Sequence, residues 1–357
     1  MFLPDVSPFG LAPEAHRDFL QGQLRELLEH HRASCPGYAR FVGEWSENTP
    51  GRAATPEDYP FLPVTLFKEY DLSSTHDAVL SLRSSATTSA LPSRIFVDRP
   101  TRNRQSLSAN RILGDFVGGG RRPYLVFDVA DTVRGTASMS AKGAAILSLA
   151  HLASEFHFVA RQEEGELILD EEALRRALET IGDQPFLAYG FTYVLYQLHE
   201  RWSAAFPVAA HPDSIFLHSG GWKRLAHIAV DKPRFNDTIA GVWGLRPANV
   251  LDFYGVVEQV GVPYPDCSAG LKHVPYWADV IIRRSDTLEP APVGEPGLIQ
   301  LVSCLPLSAP NHSVLTEDLG ELALLDGCPC GRRGKAFVFR GRAPRSELRG
   351  CSDVPRT

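Results

Sequence analysis

The chain has 357 residues, with 36 Lys and Arg against 42 Asp and Glu for a net charge of −6. Its 44% hydrophobic and 22% charged residues are the balance of a globular protein, which excludes a disordered chain or a coiled coil. An acidic balance without a long Lys/Arg block argues against nucleic acid as the main partner.

Read from the start, Met1 to Gly10 has no cationic opening followed by an apolar run, so no secretory signal is expected. Pro13 and Glu14 open a segment whose Ala15, Phe19, Leu20, Leu24, Leu27 and Leu28 recur at helical spacing, closed by Cys35-Pro36-Gly37. Short apolar runs follow at Arg94 to Asp98, Tyr124 to Val129, Phe186 to Tyr189, Ser214 to Leu217 and Val250 to Phe253, and each reads as a buried strand. Helical patterns lie between them, at Ala141 to Ser154 and at Glu171 to Ile181 behind the N-cap candidate Asp170. Strands alternating with helices predict an α/β fold. From Ala278 the rhythm changes to strand and turn, at Val280 to Arg283, Leu298 to Val302, Leu322 to Leu325 and Ala336 to Arg340. The expected division is a core over 1–277, a smaller β-rich lobe over 278–342 and a tail over 343–357. No window approaches the roughly 20 apolar residues of a membrane span, and the richest, Ala144 to Ala153, is broken by Ser148 and His151.

Four stretches have residue types suited to chemistry. Ser84-Ser85-Ala86-Thr87-Thr88-Ser89 is a loop of small residues rich in hydroxyls; such a turn can surround phosphate oxygens, though a solvated loop has the same composition. No Walker A pattern occurs. At the strand ends stand Tyr189-Gly190, His218-Ser219-Gly220-Gly221-Trp222-Lys223 and Tyr254-Gly255-Val256-Val257-Glu258, where ligands of open α/β sheets sit. Glu258 near the flat ring of Tyr254 is a candidate Mg²⁺ ligand. Leu315 to Glu321 interrupts apolar sequence with Asp318, a carboxylate suited to a pair of ribose hydroxyls, or else a hairpin turn. Arg342 ends the last strand and suits phosphate, as an exposed tail cation also would.

Six cysteines in a chain this long are not the framework of a small secreted domain, so a reducing cytoplasm is expected. Cys267, His273, Cys328 and Cys330 offer three thiolates and an imidazole, the ligand set of a closed, structural Zn²⁺ site, or else three free thiols and a surface histidine. Cys351 has Arg345, Arg349 and Arg356 nearby, and cationic neighbours favour a thiolate.

In this order, hydroxyl-rich loop, Gly-Gly turn, Tyr-Gly-x-x-Glu, Thr-x-Asp and Gly-Arg resemble the adenylate-forming enzymes. Leu62-Pro63-Val64-Thr65-Leu66-Phe67-Lys68, His218 to Lys223, Asp252 to Gln259 and Arg349-Gly350-Cys351-Ser352-Asp353 resemble more closely the LuxE-like acyl-protein synthetases, relatives of phenylacetate–CoA ligases. The resemblance implies the N-terminal domain of that fold, and ATP- and Mg²⁺-dependent activation of a carboxylic acid as an acyl-adenylate. It implies phosphate contacts from Ser84, Ser85, Thr87 and Thr88, adenine at Gly220, Gly221, Tyr254 and Gly255, Mg²⁺ at Glu258, ribose at Asp318 and ribose or phosphate at Arg342. It also implies acylation of Cys351 as a thioester and the structural zinc.

Ala86 and Val257 depart from the pattern. The chain stops soon after Gly341-Arg342, so the mobile C-terminal domain of most relatives, with its adenylation lysine, is expected to be missing. Lys223 is the local candidate for that charge. Expected partners are a fatty or aromatic acid and an acyl acceptor that is a reductase, a carrier protein or coenzyme A. No nucleic acid or membrane span is expected, and a homodimer stays open. Two other readings remain: an acid–CoA ligase or carrier-loading enzyme in which Cys351 is a bystander, and a nucleotide-binding interaction protein that has lost catalysis.

Overall fold

The computed structural model describes residues 3–48, 55–83, 93–134, 138–202, 208–222 and 227–343. The first part of the chain forms α1 (Pro13–Ser34), α2 (Pro36–Asn48), β1 (Leu62–Pro63), α3 (Leu66–Glu69), β2 (Leu80–Arg83), β3 (Arg94–Val97) and α4 (Arg99–Val117). The middle forms β4 (Arg122–Val126), β5 (Ser138–Ser140), α5 (Ala141–Ser148), β6 (Ala153–Phe158), β7 (Ala160–Glu163), β8 (Glu166–Leu169), α6 (Glu171–Ile181), β9 (Leu187–Phe191), α7 (Thr192–Glu200), β10 (Ile215–Ser219), α8 (Lys232–Trp243) and β11 (Val250–Tyr254). There follow β12 (Tyr264–Pro265), β13 (Lys272–His273), β14 (Ala278–Arg283), β15 (Pro296–Ser303), β16 (Ser313–Leu324) and β17 (Ala336–Arg342).

Local chemistry sets the helix ends. Asp98, Asp170 and Asp231 each accept a hydrogen bond from a backbone N–H in the first turn of α4, α6 and α8, at 2.8, 2.9 and 2.9 Å. The α8 helix ends at Gly244, where φ is +64°, a conformation that glycine adopts without steric cost. The apolar stripe of α1 buries Leu20, Leu24 and Leu27, and Pro36 then starts α2 at its first helical position.

The central sheet has the order β12-β11-β10-β9-β4-β6, parallel except for β12. Its inner strands β4, β9 and β10 are buried on both faces, which is why they read as continuous apolar runs. Phe127, Phe186, Phe216 and Trp243 are fully buried in its core, each contributing about 1.5–3 kcal/mol. The second sheet, β13-β17-β16-β15-β14, is antiparallel and takes in β1 alongside β16. A small sheet, β3-β2-β5, pairs β2 in parallel with β5.

Two expectations are corrected. The helix over Ala141 to Ser154 ends at Ser148, whose hydroxyl turns back to the carbonyl of Ala145 at 2.7 Å. A 3₁₀ turn over Ala150–Leu152 then leads into β6, which pairs with β4 at the sheet edge. The stretch Leu315 to Glu321 is not a hairpin turn but lies inside the twelve-residue β16. Its polar side chains have partners there, as with Thr316 Oγ1, which donates to the carbonyl of Ile299 at 2.8 Å.

Candidate active site and metal centre

The parallel strands β4, β9, β10 and β11 bring their carboxyl ends to one edge, where α/β sheets bind ligands. Ser219 lies opposite Phe253 in the register, so the Gly220-Gly221 turn stands beside Tyr254 and Gly255. Gly220 has φ +80°, and a Cβ there would meet the ring of Phe191 at 2.9 Å. Only glycine lets the turn pass this close.

Tyr254 stacks on Phe339, ring centroids 4.8 Å apart, and its phenol donates to Asp318 Oδ2 at 2.9 Å. Asp318 on β16 pairs in register with Arg342 on β17, whose Nε is 3.9 Å from Oδ1. Arg342 and Lys68 converge on Glu317, at 3.5 and 3.4 Å. Burial raises the carboxyl pKa of Asp318, against which Tyr254 and Arg342 act.

Glu258 sits in a 3₁₀ turn just beyond β11 and is buried. Burial raises its pKa, while the hydroxyl of Ser93 and the ammonium of Lys68 favour the carboxylate. The turn is pinned from below: Asn311 donates to the carbonyl of Glu258, and Gln259 Nε2 to the carbonyls of Leu301 and Asn311 at 3.0 and 2.9 Å. A buried carboxylate that has the Ser93 hydroxyl and the Lys68 ammonium near it is an oxygen donor suited to a hard cation such as Mg²⁺.

Tyr254, Glu258, Asp318 and Arg342 are thus gathered at one corner, with Gly220, Gly221 and Gly255 beside them. Ser84, Ser85, Thr87, Thr88, Lys223 and Cys351 lie outside the described residues. Two features escape a sequence reading. Lys68 reaches Glu317 across 249 positions of chain, a contact no local pattern announces. Beneath the Gly-Gly turn, buried Lys272 bonds Asp252 at 2.8 Å and Asp266 at 3.2 Å, and these carboxylates keep it charged despite burial. His218, 3.8 Å from Asp252, is held neutral by burial, its pKa lowered to about 4, and its Nδ1 meets the Thr192 hydroxyl at 2.9 Å.

At the other end of β17, the donor atoms of Cys267, His273, Cys328 and Cys330 all lie within 4.8 Å of one another. Cys267 Sγ is 3.9 Å from Cys328 Sγ, and Cys330 Sγ is 3.2 Å from His273 Nε2. A tetrahedron with 2.3 Å metal–sulfur bonds has edges of about 3.8 Å, so the set fits a four-coordinate ion. Gly327 and Gly331, at φ +79° and +86°, bend the Cys328-Pro329-Cys330 turn around the centre, and the Ala269 N–H donates to Cys267 Sγ at 3.4 Å.

The sequence profile of the acyl-protein synthetase LuxE family matches residues 2–356. The chain belongs to this family. Among solved structures, this acyl-protein synthetase family member is similar to 2-hydroxyisobutyryl-CoA ligase in the postadenylation state in complex with R3-HIB-AMP, with a TM-score of 0.71 and 17% identity over 95% of this chain and 72% of that one. It is similar also to an open conformation of that ligase in complex with 2-HIB-AMP and CoA, with a TM-score of 0.68 and 16% identity over 95% and 79% of the two chains. These likenesses establish the adenylate-forming enzyme fold that the sequence predicts. No curated protein matches the sequence. Among the described residues no helix is long and apolar enough to cross a membrane.

Proposed function

We propose that the chain activates a carboxylic acid with ATP and passes the acyl group to the thiol of Cys351 and on to a partner. The observation that carries this reading is the corner where Tyr254, Asp318, Arg342 and Glu258 meet at the carboxyl edge of the sheet, in a member of the acyl-protein synthetase family. The carboxylate oxygen of the acid attacks the α-phosphorus of ATP, the bond to the β-phosphate breaks, and pyrophosphate leaves. Catalysis of this kind is largely positioning and charge neutralisation.

The Tyr254 ring would face the adenine, with Gly220, Gly221 and Gly255 allowing close approach. Asp318 would accept from the ribose hydroxyls, with its second oxygen kept in place by the Tyr254 phenol. Arg342 would meet ribose or phosphate, and Ser84, Ser85, Thr87 and Thr88 the phosphates. Glu258 would hold Mg²⁺, which neutralises phosphate charge when bound. Lys223 would supply a further positive charge to the phosphates beside the Gly-Gly turn.

Transfer follows when the Cys351 thiolate attacks the acyl carbon and AMP leaves with its bonding electrons. Cys351 is nine residues beyond Arg342, a chain length spanning up to about 30 Å, so a tail that leaves beside Asp318 can return its thiol to this corner. A reductase is the proposed final acceptor, and a homodimer is compatible with the reading. Cys267, His273, Cys328 and Cys330 would hold a structural Zn²⁺, tying the loop before β13 to the turn between β16 and β17.

Acid–CoA ligation is the second reading, supported by the fold shared with a ligase whose structure contains CoA. Cys351→Ser separates the two. Loss of a covalent acyl label with retained pyrophosphate exchange supports the thioester, whereas unchanged transfer to CoA supports the ligase.

A further inference from the structure

We propose that Lys142 receives the carboxylate of the acid substrate, an assignment that rests on the adenylation reading above. Lys142 is in the first turn of α5, with its ammonium over Phe191 at the carboxyl end of β9. The parallel pairing of β5 with β2 sets Ser140 opposite Arg83. The helix that carries Lys142 therefore starts about one strand spacing, 4.8 Å, from Arg83, the last residue of β2.

The ammonium of Lys142 lies over two aromatic faces, 5.7 Å from the centroid of Phe191 and 6.0 Å from that of Tyr193. Phe191 ends β9, and the Gly220 turn packs against the edge of the same ring. One ring, Phe191, is thus shared by the Gly220 turn and the Lys142 ammonium.

That ammonium is weakly committed to protein partners. Its counter-charge is buried Asp128, 3.5 Å away through Oδ2. The other Asp128 oxygen accepts from the Val129 N–H and the Thr132 hydroxyl, each at 2.8 Å, so Asp128 is stabilised without the lysine. Lys142 is half-exposed and has three N–H donors, and among the described residues Asp128 is the polar partner of its ammonium. Lys68 and Arg342 are by contrast both drawn to Glu317.

Two anions could meet this charge, the carboxylate of the acid and a phosphate of ATP. The flanking Phe191 and Tyr193 rings favour the acid, because an acyl chain needs apolar walls whereas phosphates need hydroxyls and backbone donors. A carboxylate bound here has its charge matched and its apolar part laid on the rings.

The test is pyrophosphate exchange with Lys142→Met and Lys142→Arg, varying acid and ATP separately, with ATP binding without acid measured on each variant. The expected result for Lys142→Met is an acid KM raised about ten- to a hundredfold, the worth of one charged hydrogen bond, with the ATP KM and ATP binding little changed. Lys142→Arg recovers part of that loss. An unchanged acid KM in Lys142→Met, or a loss confined to ATP, overturns the assignment while leaving adenylation intact. No exchange in the unaltered protein with any acid would overturn adenylation itself, and the Lys142 role with it.

Discussion

The phenol of Tyr254, at the end of the parallel sheet, donates a 2.9 Å hydrogen bond to Asp318, in the middle of the longest strand of the antiparallel sheet. One bond thus joins the two layers at the corner proposed to take the nucleotide. It also fixes the Asp318 carboxylate, so that one oxygen faces the ring and the other faces Arg342.

This bond predicts a graded effect on ATP. Tyr254→Phe keeps the ring and removes only the donor, so the ATP KM should rise about two- to tenfold. Asp318→Ala removes the proposed ribose acceptor as well, and a rise of about tenfold or more is expected. Equal and negligible effects in the two variants would detach this corner from the nucleotide.

Cys351→Ser should leave carboxylate-dependent pyrophosphate exchange within a few-fold of the unaltered protein and abolish the hydroxylamine-sensitive acyl label. A label that survives on the serine variant would show that another residue takes the acyl group.

Elemental analysis should give close to one zinc per chain, lost in Cys328→Ser. Because metal binding to the folded chain adds to its stability, removal should lower the thermal midpoint by about 5–10 °C at this chain length. Metal-free protein with an unchanged midpoint would dismiss the centre.

Acid should destabilise the fold in a definable window. Burial lowers the pKa of His31 to about 2, of His312 to about 3 and of His218 to about 4, from an ordinary 6.5. Above about pH 6.5 neither the folded nor the unfolded chain protonates these rings. Below it the unfolded chain binds the protons and the folded chain does not. Stability is therefore fully present above pH 6.5 and falls toward pH 4, by up to about 1.4 kcal/mol per pH unit for each histidine. Thermal midpoints at pH 7.5, 6 and 5 should decline in step, and a flat or rising series would contradict the buried neutral rings.

How much of this the residues announce depends on burial. The central strands are legible because both faces are covered, leaving uninterrupted apolar runs, and α6 is legible from its Asp170 cap and apolar stripe. Helix α4 is not, because its buried face includes polar residues with partners far along the chain: Ser108 accepts from the indole of Trp277 at 2.7 Å and Thr101 from the N–H of Leu307 at 3.1 Å. Those side chains erase the apolar period. The strand around Asp318 is hidden in the same way, its polar residues satisfied by Tyr254 and Ile299. Tyr254, Glu258, Asp318 and Arg342 can be nominated from motif order alone. Lys68, Lys142 and the Lys272 ion pairs become visible only when distant segments meet.

The central claim is adenylation, and carboxylate-dependent exchange of labelled pyrophosphate into ATP tests it most directly. Purified protein with Mg²⁺ and a panel of fatty and aromatic acids should show exchange with one acid class, and Glu258→Gln should abolish it. ATP binding without exchange across the whole panel would contradict the account and favour a nucleotide-binding protein that has lost catalysis.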